Sequence, residues 1–131
     1  MISHVYIGTN DFERAYAFYA PIMATLGHTL KFCERDHPWA GWMAPGAARP
    51  LFIVGGTFDG QPAQSGNGQM VAWLAPTRET VDAVHALALA NGGRDEGAPG
   101  LRPHYHDHYY GAYFRDPEGN KLCVCCHDAT G

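Results

Sequence analysis

The sequence lacks several features that mark common functional classes. It has no cluster of lysine and arginine, and its formal net charge is −4. This balance argues against a nucleic-acid partner, because such proteins carry a basic surface. It also has no apolar run long enough to cross a bilayer, and its first residues lack the basic and apolar regions of a signal peptide. We therefore expect a cytoplasmic protein with neither a nucleic-acid nor a membrane partner.

The chain also lacks cysteines arranged so that disulfide bonds could stabilise the fold. Three of its four cysteines, Cys123, Cys125 and Cys126, crowd into one predicted strand, and the fourth is Cys33. Neighbours in a strand do not form a disulfide framework, so we expect reduced thiols. With 131 residues, the length suits a single domain. The unusual feature of the composition is eight histidines, which titrate near neutral pH and can bind metals.

The first half of the chain has the pattern of a strand, a helix and three more strands. β-Branched and aromatic residues predict a strand from His4 to Gly8. Apolar residues three or four apart then predict an amphipathic helix that ends at Gly27. Asn10 and Glu13 have the spacing of a capping box at its start, and a break or kink is expected at Pro21. The further predicted strands are 28–34, 40–44 and 50–55, followed by a glycine-rich linker at 55–68.

The second half repeats this order. A strand at 69–75 precedes a helix capped by Thr77, and a short strand near Arg94 leads into a loop rich in histidine and tyrosine. A final hairpin is predicted at 109–115 and 121–126, closed by a type I turn at Asp116-Pro117-Glu118-Gly119. Equivalent elements of the two halves lie 66 positions apart, as His4 and Met70 or Gly27 and Gly93 show. The chain is thus predicted to contain two copies of one strand–helix–strands module.

Three segments of the chain resemble the glyoxalase, bleomycin resistance and extradiol dioxygenase family, also called vicinal oxygen chelate proteins. They are the stretch from His4 to Tyr19, the segment Gly66-Asn-Gly-Gln-Met-Val-Ala, and Tyr113-Phe-Arg-Asp-Pro-Glu-Gly-Asn-Lys-Leu. The resemblance implies an α+β fold in which two βαβββ modules form a U-shaped, half-barrel sheet with a cleft. Module one would span about 1–58 and module two about 66–128 of a single domain, residues 1–131. It also implies a homodimer.

The resemblance further implies a divalent metal such as Zn, Ni, Mn or Fe, held by the first and last strands of each module. Among the four family positions, His4 matches, and Cys123 stands where relatives carry glutamate. The last strand of module one offers Phe52 or a neighbour, and the first strand of module two offers Met70, which is a poor ligand for a hard cation. A histidine and a cysteine are too few ligands for a usual site. Binding of a divalent metal at His4 and Cys123, and the absence of any metal, both stay open.

The loop Leu101–Gly111 is the most unusual segment. His104, His106 and His108 occupy alternate positions and would share one face if the loop were extended, as a metal site would require. Alternatively the loop forms the rim of the cleft or a dimer contact. As a rim, Tyr105, Tyr109 and Tyr110 would supply aromatic walls with polar tips, and Arg102 would hold a carboxylate or phosphate. The predicted ligand-binding residues are Arg102, His104, Tyr105, His106, Tyr109, Tyr110, Phe52 and Trp73.

Two functions follow from the resemblance. In one, the chain is a glyoxalase-like protein that binds a small organic molecule in the cleft and acts as a lyase, isomerase or dioxygenase with an atypical metal site. In the other, it binds and sequesters a drug or metabolite without a metal. The sequence assigns no catalytic residue, and in both cases the partner is a small molecule.

Overall fold

The first strand and helix show how local sequence sets the module. In the computed structural model, which describes residues 1–129, β1 (His4–Gly8) is followed by α1 (Phe12–Thr25). The N-cap of α1 is Asp11, whose carboxylate accepts the backbone N–H of Arg14 at 3.1 Å. Asn10 instead accepts the backbone N–H of Ala63 at 2.7 Å. The predicted capping box is therefore wrong, because a neighbouring carboxylate serves the helix start.

The helix α1 is continuous through Pro21, so of the predicted break or kink the break does not occur. An interior proline costs about 3 kcal/mol, whereas burying one large apolar side chain contributes about 1.5–3 kcal/mol. Packing therefore outweighs the lost hydrogen bond. The buried side chains of α1 are Ala15, Phe18, Tyr19, Ile22 and Met23.

Three strands complete the first module. They are β2 (Thr29–Glu34), β3 (Trp39–Met43) and β4 (Leu51–Gly55). The sheet order is β1-β4-β3-β2, with β1 parallel to β4 and the other pairs antiparallel. Residue pairs across β1 and β4 include His4 with Leu51 and Val5 with Phe52. Because side chains alternate along a strand, His4 and Phe52 lie on opposite faces of this sheet.

The second module repeats the arrangement with β5 (Val71–Leu74), α2 (Arg78–Ala90), β6 (Arg94–Leu101), β7 (Tyr110–Arg115) and β8 (Lys121–Cys126). The sheet order is β5-β8-β7-β6, and β5 is parallel to β8. Thr77 caps α2 through the N–H of Thr80, as predicted for its position. The βαβββ order thus occurs twice, which confirms the predicted α+β fold class.

The Asp116–Gly119 turn joins β7 to β8 as the sequence predicts. The backbone N–H of Gly119 donates to the Asp116 carbonyl at 2.9 Å, and Gly119 has a φ of +93°. The Asp116 carboxylate also accepts the N–H groups of Glu118 and Asn120, each at 2.9 Å. The Asp-Pro-Glu-Gly-Asn motif is therefore a turn stabilised by hydrogen bonds within the motif, and it determines where β8 begins.

The two modules are separate compact units. The first comprises Met1–Gln64 and the second begins at Ser65. Each has its own core between one helix and one sheet face, represented by Phe52 against Tyr19 and by Phe114 near Trp73. Within residues 1–129, neither helix has the length and apolar character needed to span a bilayer.

Candidate ligand-binding site

The face of the second sheet that turns away from α2 carries most of the chemically distinctive side chains. Along β8, Leu122, Val124 and Cys126 alternate with Cys123 and Cys125. Cys123 and Cys125 pair across β5 with Ala72 and Leu74, which are exposed. This open face therefore collects side chains that the module's own helix does not cover.

The loop between β6 and β7 folds over this face as a pair of turns. The N–H of Arg102 donates to the Tyr109 carbonyl at 2.8 Å, and the N–H of Tyr105 donates to the Arg102 carbonyl at 2.9 Å. The N–H of Tyr109 donates to the His106 carbonyl at 3.2 Å. Because the loop turns instead of extending, its alternate histidines do not share one face. A metal site formed by His104, His106 and His108 would require a shared face, so this loop conformation does not support it.

Tyr109 reaches from this loop to the sheet. Its hydroxyl lies 2.9 Å from the Tyr113 hydroxyl and 3.5 Å from the Cys123 sulfur. A phenol has one proton to donate, so when Tyr109 donates to sulfur its oxygen accepts the proton of Tyr113. Cys123 has no exposed surface. Tyr109 thus covers the family metal position of the last strand with a hydroxyl.

A second hydrogen-bonded chain reaches the same pair of cysteines through two histidines. The N–H of His108 donates to Nδ1 of His106 at 3.1 Å, which leaves the proton of neutral His106 on Nε2. Nε2 of His106 lies 2.8 Å from Nδ1 of His127, and Nε2 of His127 lies 3.6 Å from the Cys125 sulfur. The backbone amide therefore orients the whole chain, and His127 donates toward Cys125. In this arrangement His127 is not a base for that thiol.

These hydrogen bonds and burial change the pKa values of the cysteine and tyrosine side chains in different directions. The hydrogen bond from Cys125, followed by that from Tyr109, lowers the pKa of Cys123 to about 7, although burial opposes the change. The same bond to Cys123 raises the pKa of Cys125, and burial raises the pKa of Tyr109. Of these groups, Cys123 is therefore the first to ionise as the pH rises, with phenol and thiol donors around its sulfur.

Two cations lie beside the ring of Tyr113. The guanidinium carbon of Arg102 is 5.6 Å from the ring centroid, and Nζ of Lys121 is 5.7 Å from it. Arg102 donates to the carbonyl of Ala98 at 2.9 Å, and among residues 1–129 no carboxylate pairs with it. We call the surface formed by Arg102, Tyr105, Tyr109, Tyr113 and Lys121 the tyrosine face. It combines exposed aromatic area with positive charge.

The structure brings together five of the eight predicted ligand-binding residues around this face. His104 packs on Tyr105 with ring centroids 4.3 Å apart, and Tyr105 lies 4.9 Å from Tyr109. His106 packs against Tyr109 at 5.7 Å. Arg102 completes the group beside Tyr113.

The other three predicted ligand-binding residues lie elsewhere. Phe52 is 4% exposed and Trp73 is 6% exposed, each on the helix side of its sheet. The hydroxyl of Tyr110 donates to the Asp82 carboxylate on α2 at 2.6 Å. These three side chains therefore stabilise the modules, and we leave them out of the site.

The candidate site also contains three residues that the sequence did not predict, namely Tyr113, Lys121 and His127. Tyr113 and Lys121 are adjacent to the cysteines across or along β7 and β8. His127 follows β8 directly and continues the alternation of Cys123 and Cys125. Strand alternation at 121, 123, 125 and 127 could have indicated a shared face, but only the register adds Tyr113.

The family position in the first module holds no donor set for a metal. Nδ1 of His4 lies 2.9 Å from the Ser3 hydroxyl, and His4 pairs across the sheet with Leu51. The register also aligns Ile53 with Tyr6, as it aligns Cys123 with Ala72 in the other module. Ile53, not Phe52, is therefore the equivalent of Cys123. Neither Ile53 nor Phe52 has a side-chain atom that can coordinate a metal ion.

The second module does not complete a site either. Cys123 is surrounded by tyrosine and thiol donors, and its strand neighbour is Ala72. Within the part of the chain that the structure describes, no three histidine, cysteine or acidic residues are grouped so that they could hold a metal ion. The residues present therefore do not fit the divalent cation that the resemblance implies.

Known proteins agree with this architecture. A family model described as the Glyoxalase/Bleomycin resistance protein/Dioxygenase superfamily matches residues 1–124. A glyoxalase/bleomycin resistance protein from Albidiferax ferrireducens T118 is 36% identical, with 98% of this chain and 99% of that chain covered and a TM-score of 0.83. No curated protein sequence matches.

More distant structures share the fold. A family enzyme from Burkholderia phytofirmans PsJN is 22% identical over 96% of this chain and 98% of its own, with a TM-score of 0.71. TnmS3, an antibiotic binding protein from Streptomyces sp. CB03234, is 24% identical over 98% of this chain and 96% of its own, with a TM-score of 0.62. At such identities the likeness concerns the fold alone.

Proposed function

Because the chain belongs to the Glyoxalase/Bleomycin resistance protein/Dioxygenase superfamily, we propose that it binds a small aromatic anion on the tyrosine face, without a metal ion. The observation that carries this proposal concerns Arg102. Its part-exposed guanidinium group lies beside the Tyr113 ring, and among residues 1–129 no carboxylate pairs with it. Guanidinium groups bind carboxylate or phosphate through two parallel hydrogen bonds. The tyrosine rings add apolar area with polar tips.

The buried cysteines have a supporting role in this proposal. The positive charge of Arg102 favours the ionised form of Cys123 and contributes, after the hydrogen bonds, to the lowered pKa of that thiol. The hydroxyl of Tyr109 is held on the same sulfur. Since Cys123 is fully buried, it does not contact the ligand. It fixes the positions of two side chains that do.

Small-molecule binding has a parallel among proteins of this fold. TnmS3 is an antibiotic binding protein, so the fold serves small-molecule binding in at least that case. The shortage of metal ligands around His4 and, separately, around Cys123 supports binding without a metal here. A glyoxalase-type lyase, isomerase or dioxygenase is the alternative, and it needs ligands that the family positions of this chain lack.

The proposal is tested by titrating benzoate and its neutral analogue benzamide into the purified protein by calorimetry. Benzoate is expected to bind more tightly than benzamide, and Arg102→Gln is expected to remove that preference. A hydrogen bond to a charged group contributes about 1.5–3 kcal/mol, which corresponds to a loss of roughly tenfold or more. Lys31→Gln, an exposed change of the same charge in the first module, is the matched control. Equal affinity of wild type and Arg102→Gln for benzoate contradicts the proposal.

Metal analysis separates the two function classes. The protein is purified without a histidine tag, incubated with Zn, Ni, Mn or Fe, dialysed and analysed for bound metal. We expect no stoichiometric metal. One equivalent that is lost in His4→Ala or in Cys123→Ala would instead favour the metal-dependent alternative.

A homodimer and a cytoplasmic location remain predictions from the sequence. Light scattering on the purified protein at several concentrations tests the first. Fractionation of cells that produce the protein tests the second.

A further inference from the structure

The second module contains a cavity that the proposed site does not use. It has a volume of about 320 Å³ and is lined by residues 66–70, Arg115 and Lys121. Lys121 also lies beside the Tyr113 ring. The cavity therefore meets the tyrosine face at one shared side chain.

Both charged side chains in the cavity wall are cations. Among the described residues, Lys121 has no carboxylate partner. Arg115 donates Nε to Glu96 and Nη1 to the Gly119 carbonyl at 2.8 Å. The hydrogen bond from Arg115, followed by the charges of Arg115, Arg94 and Lys121, lowers the pKa of Glu96. This one carboxylate faces both cations of the cavity wall, so a net positive charge remains for a ligand.

The loop opposite these cations supplies backbone donors. Within residues 1–129, none of the N–H groups of residues 66–69 donates to another protein group. Gly66 and Gly68 have φ values of +73° and +118°, which side chains other than glycine rarely adopt. A β-carbon on Gly66 would lie 2.5 Å from Nε2 of Gln69, whose amide folds back over the loop. Successive free N–H groups in such turns form concave anion sites.

We propose that this cavity binds the phosphate group of an aromatic phosphate monoester whose ring lies on the tyrosine face. This inference rests on the proposed function and names the class of its ligand. A phosphate monoester carries a charge of about −1.5 to −2 at pH 7 and three strong acceptor oxygens. A carboxylate carries one charge and two oxygens. A lysine, free arginine N–H groups and several backbone donors therefore suit phosphate better.

The geometry allows one small molecule to use both regions. Arg102 and Lys121 lie 5.6 Å and 5.7 Å from the same Tyr113 ring. A phenyl ring placed against Tyr113 has its phosphate within reach of Lys121. Arg102 then contacts the face of the ring or a second acidic group.

Calorimetric titration with phenyl phosphate, inorganic phosphate and benzoate tests the inference. Wild-type protein is expected to bind phenyl phosphate at least tenfold more tightly than benzoate. Lys121→Gln is expected to weaken phenyl phosphate and inorganic phosphate about tenfold, and Lys121→Arg is expected to restore binding. Lys31→Gln serves as the control for charge, and circular dichroism shows that each variant folds.

The outcomes distinguish this inference from the proposed function. If Lys121→Gln leaves phenyl phosphate affinity unchanged while Arg102→Gln removes the preference for benzoate over benzamide, the phosphate site is refuted and the proposed function stands. If neither phenyl phosphate nor benzoate binds the wild type, both are refuted. If inorganic phosphate alone binds and depends on Lys121, the combined aromatic phosphate ligand is refuted.

Discussion

The open faces of the two sheets share one βαβββ template but carry different chemistry. In the first module, the face with His4 and Tyr6 borders a cavity of about 530 Å³, lined mainly by aromatic and histidine side chains. In the second module, the equivalent face carries Arg102, Lys121 and a group of tyrosines over two thiols. The two modules therefore share a fold but carry different side chains on their open faces.

The difference is clearest at aligned strand residues. Tyr6 pairs with Ile53 in the first sheet, whereas Ala72 pairs with Cys123 in the second. Tyr6 donates its hydroxyl to the carbonyl of Gly56, so its polar atom is used locally. The side chain of Ala72 has no polar atom, and the sulfur of Cys123 instead lies 3.5 Å from the hydroxyl of Tyr109 in the β6–β7 loop. Ionisable chemistry has thus concentrated in the module with the longer β6–β7 loop.

The largest expected effect tests whether each module depends on its own core. Phe52→Ala and Phe114→Ala each remove a buried ring and are expected to lower the free energy of unfolding by about 3–5 kcal/mol. Leu74→Ala, at a position 68% exposed, is the control and should change stability little. Urea denaturation followed by tryptophan fluorescence measures all three. A large loss for only one of the two phenylalanines would contradict the picture of equivalent cores.

A smaller effect concerns the ionisation that only the second module has. Because donors lower the pKa of Cys123 to about 7, thiolate absorbance at about 240 nm is expected to rise as pH increases through 7. Tyr109→Phe removes one donor to the sulfur, so the midpoint should move to higher pH. Cys123→Ser should abolish the transition.

Cys126→Ser is the matched control for that titration, since its side chain lies on the helix side of the same strand. It should keep the absorbance change near pH 7. A transition that survives Cys123→Ser but disappears in Cys126→Ser would place the thiolate on the helix side of the sheet. The argument that Cys123 helps to position Arg102 would then fail.

The smallest effect compares the two helix starts. Asp11 caps α1 and Thr77 caps α2, each through the backbone N–H three residues later at 3.1 Å. Thr77→Ala is expected to cost about 1 kcal/mol, and Asp11→Ala should also destabilise the protein. Thermal unfolding compares them with Thr29→Ala, which is exposed in β2. No destabilisation by either cap variant would indicate that the helices depend on packing alone.

Most of the fold follows from local pattern, and most of the site does not. Alternating strand residues, the Asp116–Gly119 turn and the spacing of apolar residues in both helices predict the βαβββ order. The N-cap of α1 and the continuity at Pro21 were not predictable, because competing groups and buried area decide them. Strand register then separates Cys123 from Phe52, since a shift of one residue exchanges the two faces of a sheet.

The sequence by itself determined the two modules and the family, because these depend on residue type at fixed spacing. It also indicated that the loop 101–111 carries chemistry. Only the tertiary structure placed Tyr109 over Cys123, Arg102 and Lys121 beside Tyr113, and Phe52, Trp73 and Tyr110 on helix-facing sides. Which side chains meet depends on turns and on pairing between strands distant in sequence, and local spacing does not encode these contacts.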